Sequence, residues 1–128
     1  MELARPVAAD DAFFWEAAAD DRLVIQCCTD CATLRHPPTP MCGNCGSLHW
    51  AATAASGRGR ILSWISSLHP NRPDEEPRIV ILVQLDEGTR LVSNLVDPPD
   101  AGPYEDLPVV VEFRDVDGVR TPVFRVEP

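Results

Sequence analysis

Two short clusters that hold all five cysteines constrain this chain more than any other feature: Cys27-Cys28-Thr29-Asp30-Cys31 and Cys42-Gly43-Asn44-Cys45. Between residues 27 and 50 the apolar content is Leu34, Met41, Leu48, Trp50 and little else. That is too little to offset the entropy of ordering two dozen residues, so something other than a hydrophobic core must hold the segment. A Cys-x-x-Cys turn aims two sulfurs at one point, and two such turns supply the tetrahedral set that zinc prefers. Here Cys28 and Cys31 are separated from Cys42 and Cys45 by the ten residues Ala32 to Met41. We therefore expect a structural zinc ribbon ligated by Cys28, Cys31, Cys42 and Cys45. Apparent binding energies of about 10 to 16 kcal/mol are ample to order such a segment.

Four thiolates leave no open coordination position, which argues against catalytic zinc. Cys27 is left as a spare thiol, although Cys27-x-x-x-Cys31 is an alternative pairing. Gly43 and Gly46 free the backbone of the second knuckle, which often needs positive φ. His36 and His49 are read as surface or ribbon-packing residues. An odd cysteine count in a chain expected to be cytoplasmic disfavours disulfides.

The remaining sequence bounds the rest. At 128 residues, one modest core and one small module fit. Apolar residues are 45% and charged residues 24%, as in globular proteins, and no apolar run approaches a bilayer span, so no membrane partner is expected. Acids at Glu2, Asp10, Asp11, Glu16, Asp20 and Asp21 are unlike a signal peptide, hence the cytoplasmic placement. Eleven arginines, no lysine and a net charge of -9 oppose binding to phosphate backbones, so nucleic acid is not expected as a partner.

Thirteen prolines punctuate the chain between its periodic stretches. Asp10 or Asp11 can cap a helix running to about Ala19. Phe13, Phe14 and Trp15 at its start cannot share one face, so at least one ring points away from its neighbours' packing surface, toward its own domain or toward a partner. Leu23 to Cys27 reads as a brief strand. From Gly57 onward the pattern is β. Arg60 to Leu68 alternates, Ile79 to Leu85 is expected to be buried on both faces, and Asp86-Glu87-Gly88 turns into Arg90 to Val96. Pro108 to Phe113 and Thr121 to Val126 are joined through Asp117-Gly118, a type I′ turn signal. Five strands suit a small closed barrel of OB type better than a sandwich.

Ser56-Gly57-Arg58-Gly59-Arg60 is weighed separately, because glycines with arginines can cradle phosphate. Residues 56 to 78 carry four arginines (58, 60, 72, 78) against three acids (74, 75, 76), which makes this the one mildly basic region. A coenzyme A phosphate could dock on Arg58 and Arg60. The stronger reading is that the glycines permit the sharp coil and bulge of barrel closure. His69 has no nucleophile or carboxylate nearby in sequence, and no Gly-x-Ser-x-Gly elbow, P-loop or dinucleotide fingerprint is present.

The order of motifs resembles domain-of-unknown-function family thirty-five, the zinc-ribbon and OB-fold proteins that accompany acyl-CoA enzymes. The likeness runs through Phe14-Trp15-Glu16, Cys28-x-x-Cys31, Pro37-Pro38, Cys42-x-x-Cys45-Gly46, Ser56-Gly57-Arg58-Gly59, Leu85-Asp86-Glu87-Gly88 and Val111-Glu112-Phe113. It departs at Cys27, Thr39 and Arg78. The resemblance implies a non-catalytic accessory subunit of a thiolase-fold acyl-CoA enzyme, an aldolase or a thiolase, in a hetero-oligomer. Some family members are instead fused or bound to a hot-dog-fold hydratase. On this reading Phe13, Phe14 and Trp15 anchor the partner, acyl-CoA is shared with it, and retro-aldol or thiolytic carbon-carbon cleavage of a steroid side chain or another lipid occurs in the partner.

The expectation is thus a mainly β chain: an N-terminal helical segment (1-26), a rubredoxin-like four-cysteine zinc ribbon (27-55) and a five-stranded OB-fold barrel (56-128). Its rivals are an oligonucleotide-binding OB module and an iron-loaded electron carrier.

Overall fold

The computed structural model describes residues 11-68, 70-71 and 74-128. Asp10, His69 and Arg72, singled out above, lie outside the described residues. The chain clusters into two units, one formed by residues 1-56 with 113-122 and the other by 57-112 with 123-128.

In the first unit, helix α1 (Ala12–Ala19) buries Phe14, Ala17 and Ala18, residues spaced to share one helical face. Asp11 occupies the N-cap position, but its side chain makes no capping hydrogen bond; its carbonyl instead accepts from the Phe14 and Trp15 N–H groups. The helix ends at Ala19 with Asp20 as its C-cap, and Asp21 just beyond has a φ of 58, outside helical geometry. Strand β1 (Val24–Cys28) follows and becomes the centre of a three-stranded sheet, flanked by β2 (Leu34–Arg35) and β3 (Trp50–Ala54) in the order β2-β1-β3. Cys27 pairs with Leu34 on one side and Ala51 on the other, and Cys28 faces Trp50. Neither flanking strand is apparent in the sequence, because Ala51-Ala52-Thr53-Ala54 lacks β-branched alternation and gains its strand form from pairing with β1.

The second unit holds a closed barrel in the order β4-β5-β6-β8-β7, except for residues 113-122 at the end of β7 and the start of β8, which cluster with the first unit. Its strands are β4 (Arg58–Ser67), β5 (Arg78–Leu85), β6 (Arg90–Leu95), β7 (Pro108–Val116) and β8 (Val119–Val126). The five expected strands are all present, and the last two run longer, through the charged residues Arg114, Asp115 and Arg120. Asp117 and Gly118 have φ values of 51 and 84, the pair of positive angles that a type I′ turn requires. Ile61, Ile81, Val83, Leu85, Val109 and Phe124 are each at most 2% exposed and form the heart of the core. The expectation for Ile79 to Leu85 is corrected: Ile81, Val83 and Leu85 are buried, whereas Val80 and Leu82 between them are only half-buried. In a closed barrel one face of each strand looks outward, so period-two burial wins over the all-apolar composition.

Gly57 and Gly59 show why the barrel starts as it does. A Cβ on Gly57 would meet Val111 Cγ1 at 2.5 Å, and one on Gly59 would meet the Gln84 carbonyl oxygen at 2.5 Å and Val83 Cγ1 at 2.7 Å. Here β4 is pinched between β7, through Arg58 to Val110 and Arg60 to Pro108, and β5, through Gly59 to Leu85. The glycines therefore serve closure by close approach, while the β-bulge falls slightly later, between Ile61 and Ser63.

Candidate metal centre

Strand alternation places Cys27 and Cys28 on opposite faces of β1. Cys28 is fully buried, and its sulfur lies within 4.8 Å of those of Cys31, Cys42 and Cys45. Cys27 points elsewhere, with its thiol 3.6 Å from the Cys28 carbonyl. The Cys27-x-x-x-Cys31 alternative is thereby removed.

The two knuckles repeat one backbone design. In the first, the Ala32 N–H donates to the Cys28 carbonyl at 2.8 Å and the Cys28 N–H to the Thr33 carbonyl at 2.9 Å. In the second, the Gly46 N–H donates to the Cys42 carbonyl and the Cys42 N–H to the Ser47 carbonyl, both at 2.9 Å. Each turn is closed by a left-handed residue after its second cysteine: Ala32 at φ 65 and Gly46 at φ 78. Of the two glycines marked in the sequence, Gly46 takes the positive angle. In the first knuckle an alanine does so, at a cost of about 1 kcal/mol.

Sulfur spacing tests the fit to a metal. Four thiolates about 2.3 Å from a central ion lie roughly 3.8 Å apart in a tetrahedron. Cys28 to Cys45 and Cys31 to Cys42 are each separated by 3.6 Å. The donor set matches a closed four-thiolate structural site. The charges point the same way. The Thr33 hydroxyl, 3.1 Å away, and the Asn44 side chain favour the Cys31 thiolate and bring that thiol down to about 5. The backbone N–H groups of Cys45 and Asn44 lower Cys42. At Cys45 the Ser47 backbone N–H also favours the anion, but the Cys31 and Cys28 sulfurs, burial and the Cys42 sulfur outweigh it and push the thiol up to about 12. Packed thiolates resist a further negative charge, and a bound dication relieves that resistance.

Polar contacts brace the knuckles. Ser47 Oγ donates to the Asp30 carboxylate, which also lies 3.5 Å from His49 Nδ1. Together these hold Asp30 below the usual carboxylate range, the Ser47 contact being the larger cause. Sequence reasoning missed Gln26, which is 1% exposed. Its amide donates to the Thr39 carbonyl and accepts from the Thr39 N–H, both at 2.9 Å, tying the loop before Cys42 to β1. The available signal is a lone amide in the apolar run Val24-Ile25-Gln26, since a buried polar side chain needs partners. The His36–Pro37 peptide bond in this loop is cis.

The three aromatic residues of α1 separate. Phe14 turns inward, 6% exposed, with its ring centroid 5.3 Å from His36 and 5.2 Å from Trp15. Phe13 lies against Trp50 at 4.7 Å. Phe13 and Trp15 are half-buried and retain surface. Beside Phe13 a hollow of about 340 Å³ is lined by Glu16, Asp20, Arg22 and Ala52 among others. His36 is packed against Phe14 as the packing reading requires, whereas His49 is exposed.

Arg58 and Arg60 both project from β4 into solvent, but the Arg58 guanidinium is 2.7 Å from the Glu127 carboxylate. That acid competes with any phosphate for Arg58. Among the described residues, no helix is long and apolar enough to cross a membrane.

Comparison with known proteins yields two family matches. Residues 15–49 match the model described as "ChsH2, rubredoxin-like zinc ribbon domain", and residues 52–114 match "ChsH2, C-terminal OB-fold domain". The "Probable enoyl-CoA hydratase alpha subunit" of Thermomonospora curvata is 48% identical over 118 residues, which are 91% of this chain and 37% of that protein. The "3-oxo-4,17-pregnadiene-20-carboxyl-CoA hydratase alpha subunit" of Mycobacterium tuberculosis is 33% identical over 107 residues, 83% of this chain and 34% of that protein. The chain thus spans about a third of the length of these curated relatives. Among solved structures, the "Ltp2-ChsH2(DUF35) aldolase" contains a chain that is 46% identical, with a TM-score of 0.86; the match covers 95% of this chain and 98% of that one.

Proposed function

This chain belongs to the ChsH2 (DUF35) family of zinc-ribbon and OB-fold proteins, and from that premise we propose that it is a non-catalytic accessory subunit of a thiolase-superfamily acyl-CoA enzyme. One observation carries the reading: nearly the full length of this chain corresponds to nearly the full length of a chain in the Ltp2-ChsH2(DUF35) aldolase. The donor chemistry supports it. Zinc held by Cys28, Cys31, Cys42 and Cys45 supplies cross-linking rather than Lewis acidity, because four thiolates complete its coordination.

In this reading the ribbon is a rigid mount for α1. Phe13 and Trp15 offer half-buried rings to the partner, while Phe14, already packed inside, fixes the helix beneath them. Half-buried aromatic residues on a stiff support are the usual anchors of protein interfaces. The hollow beside Phe13, with Glu16, Asp20 and Arg22 at its rim, gives the interface a polar margin. Carbon-carbon cleavage, retro-aldol or thiolytic, takes place in the partner. Acyl-CoA is shared with this chain at most through Arg60, since Arg58 is paired with Glu127. The complex works in the cytoplasm.

Co-expression with the thiolase-like enzyme of the same host tests the proposal. A stable complex that Trp15→Ala and Phe13→Ala weaken, with zinc content unchanged, is the expected result. Turnover of an acyl-CoA by the isolated chain would refute the non-catalytic role. A second reading, service to a hydratase, is favoured by the names of the two curated relatives. Association with a hot-dog-fold hydratase in place of the thiolase-like enzyme would select it.

A further inference from the structure

The second half of β4 is an unprotected sheet edge. Beyond Arg60, where pairing with β7 ends, β4 continues to Ser67 with β5 alone beside it; the final contacts on the other edge are the Ile61 N–H to the Leu107 carbonyl and the Asp106 N–H to the Ile61 carbonyl. Among the described residues no strand pairs with that edge from Ser63 to Ser67. Proteins normally guard such an edge with charge, proline or a bulge along it. Leu62-Ser63-Trp64-Ile65-Ser66-Ser67-Leu68 has no charge and no proline, and its bulge lies at the barrel end, before Ser63. Its apolar side chains are also open: Ile65 is 62% exposed, Leu68 58% and Trp64 41%, with Val92 nearby at 68%. Trp64, Ile65, Val80, Leu82 and Val92 line a shallow hollow of about 120 Å³.

We propose that a second copy of this chain covers this edge, the two β4 strands pairing antiparallel about Ile65. The sequence is close to a palindrome around that residue. Self-pairing sets Ile65 against Ile65, Trp64 against Ser66, Ser63 against Ser67 and Leu62 near Leu68. An apolar β-branched pair at the centre with serine pairs beside it is a favourable cross-strand set. The net charge of -9 opposes association, but at physiological ionic strength it is screened beyond about 8 Å, and the paired segment itself carries no charge. The proposal is independent of the enzyme partnership above.

Sedimentation velocity on the zinc-loaded full chain, over about 1 to 200 μM, tests it. A monomer-dimer equilibrium is expected, with Ser63 to Ser67 amides that gain hydrogen-exchange protection as dimer accumulates. Ile65→Lys removes the central apolar pair and places two lysines face to face, and the two effects together should raise the dissociation constant about tenfold. Unchanged melting curves show that the variant folds. A monomer throughout the range overturns the proposal. So does a dimer indifferent to Ile65→Lys, or one in which these amides stay unprotected.

Discussion

Replacing Gln26 with methionine separates what the polypeptide contributes to the ribbon from what the metal contributes. Methionine has a similar length and fills the same space, but it can neither donate to nor accept from Thr39. Two neutral hydrogen bonds of 2.9 Å are lost, each with a net value of about 0.5 to 1.5 kcal/mol. Two features keep the loss from the top of that range. Arg35 continues to donate to the Thr39 carbonyl through Nη2 at 3.0 Å, and Thr39 is exposed enough for water to reach its N–H. The expected loss is about 2 kcal/mol. Because Thr39 lies three residues before Cys42, part of that loss should fall on the metal site. About 1.4 kcal/mol directed there raises the zinc dissociation constant tenfold. Urea unfolding of the zinc-loaded protein measures the first quantity, and competition against a chelator measures the second. A change below about 0.5 kcal/mol in stability, with unaltered zinc affinity, would refute the claim that this amide pair holds the loop.

Chelating the metal, or replacing Cys31 and Cys42 together with serine, should abolish the near-ultraviolet signal of Trp50 and amide protection along β1 and β3. Amides of β5 at Ile81 and Val83, inside the barrel core, should stay protected, as hydrogen exchange would reveal. Gly59→Ala forces a Cβ to within 2.5 Å of a backbone oxygen, which cannot swing aside as a side chain could. It should destabilise the barrel by about 1 to 3 kcal/mol in urea unfolding, and Gly43→Ala, which meets nothing, is the control. Burial lowers the pKa of His36 from its ordinary 6.5, so the unfolded chain binds this proton more readily than the folded one. The stability it allows is complete above that value and falls as pH drops through the lower folded value. With zinc saturating in both proteins, His36→Phe should flatten the loss of urea midpoint between about pH 7.5 and 5.5, and an unchanged slope would exclude His36 as its source.

Local chemistry made the metal set legible. The Cys-x-x-Cys spacing identifies Cys31, Cys42 and Cys45 on its own terms, and strand alternation decides for Cys28 over Cys27 once β1 is central in its sheet. The barrel strands were legible for a similar reason, because alternation in β4 and β6 and the turn at Asp117-Gly118 are signals over a few residues. What escaped depends on contacts between distant residues. β3 is a strand because β1 pairs with it, and Gln26 matters because Thr39 comes to it. Ala32 adopts a left-handed angle that its residue type disfavours, since the knuckle geometry outweighs the local preference. The half-open outer positions Val80 and Leu82 look like core in composition, and nothing in a strand's own letters says whether a second layer covers it.

Adjacent thiols on opposite faces of β1 make the choice of ligand and the alignment of the strand a single decision. Offering Cys27 to the ion would require the strand to slip by one place, and that slip would turn Gln26 away from Thr39 and reverse the side presented by every residue from Val24 onward. Coordination errors and alignment errors therefore cannot arise separately. The ion vets the strand, and the strand vets the ion.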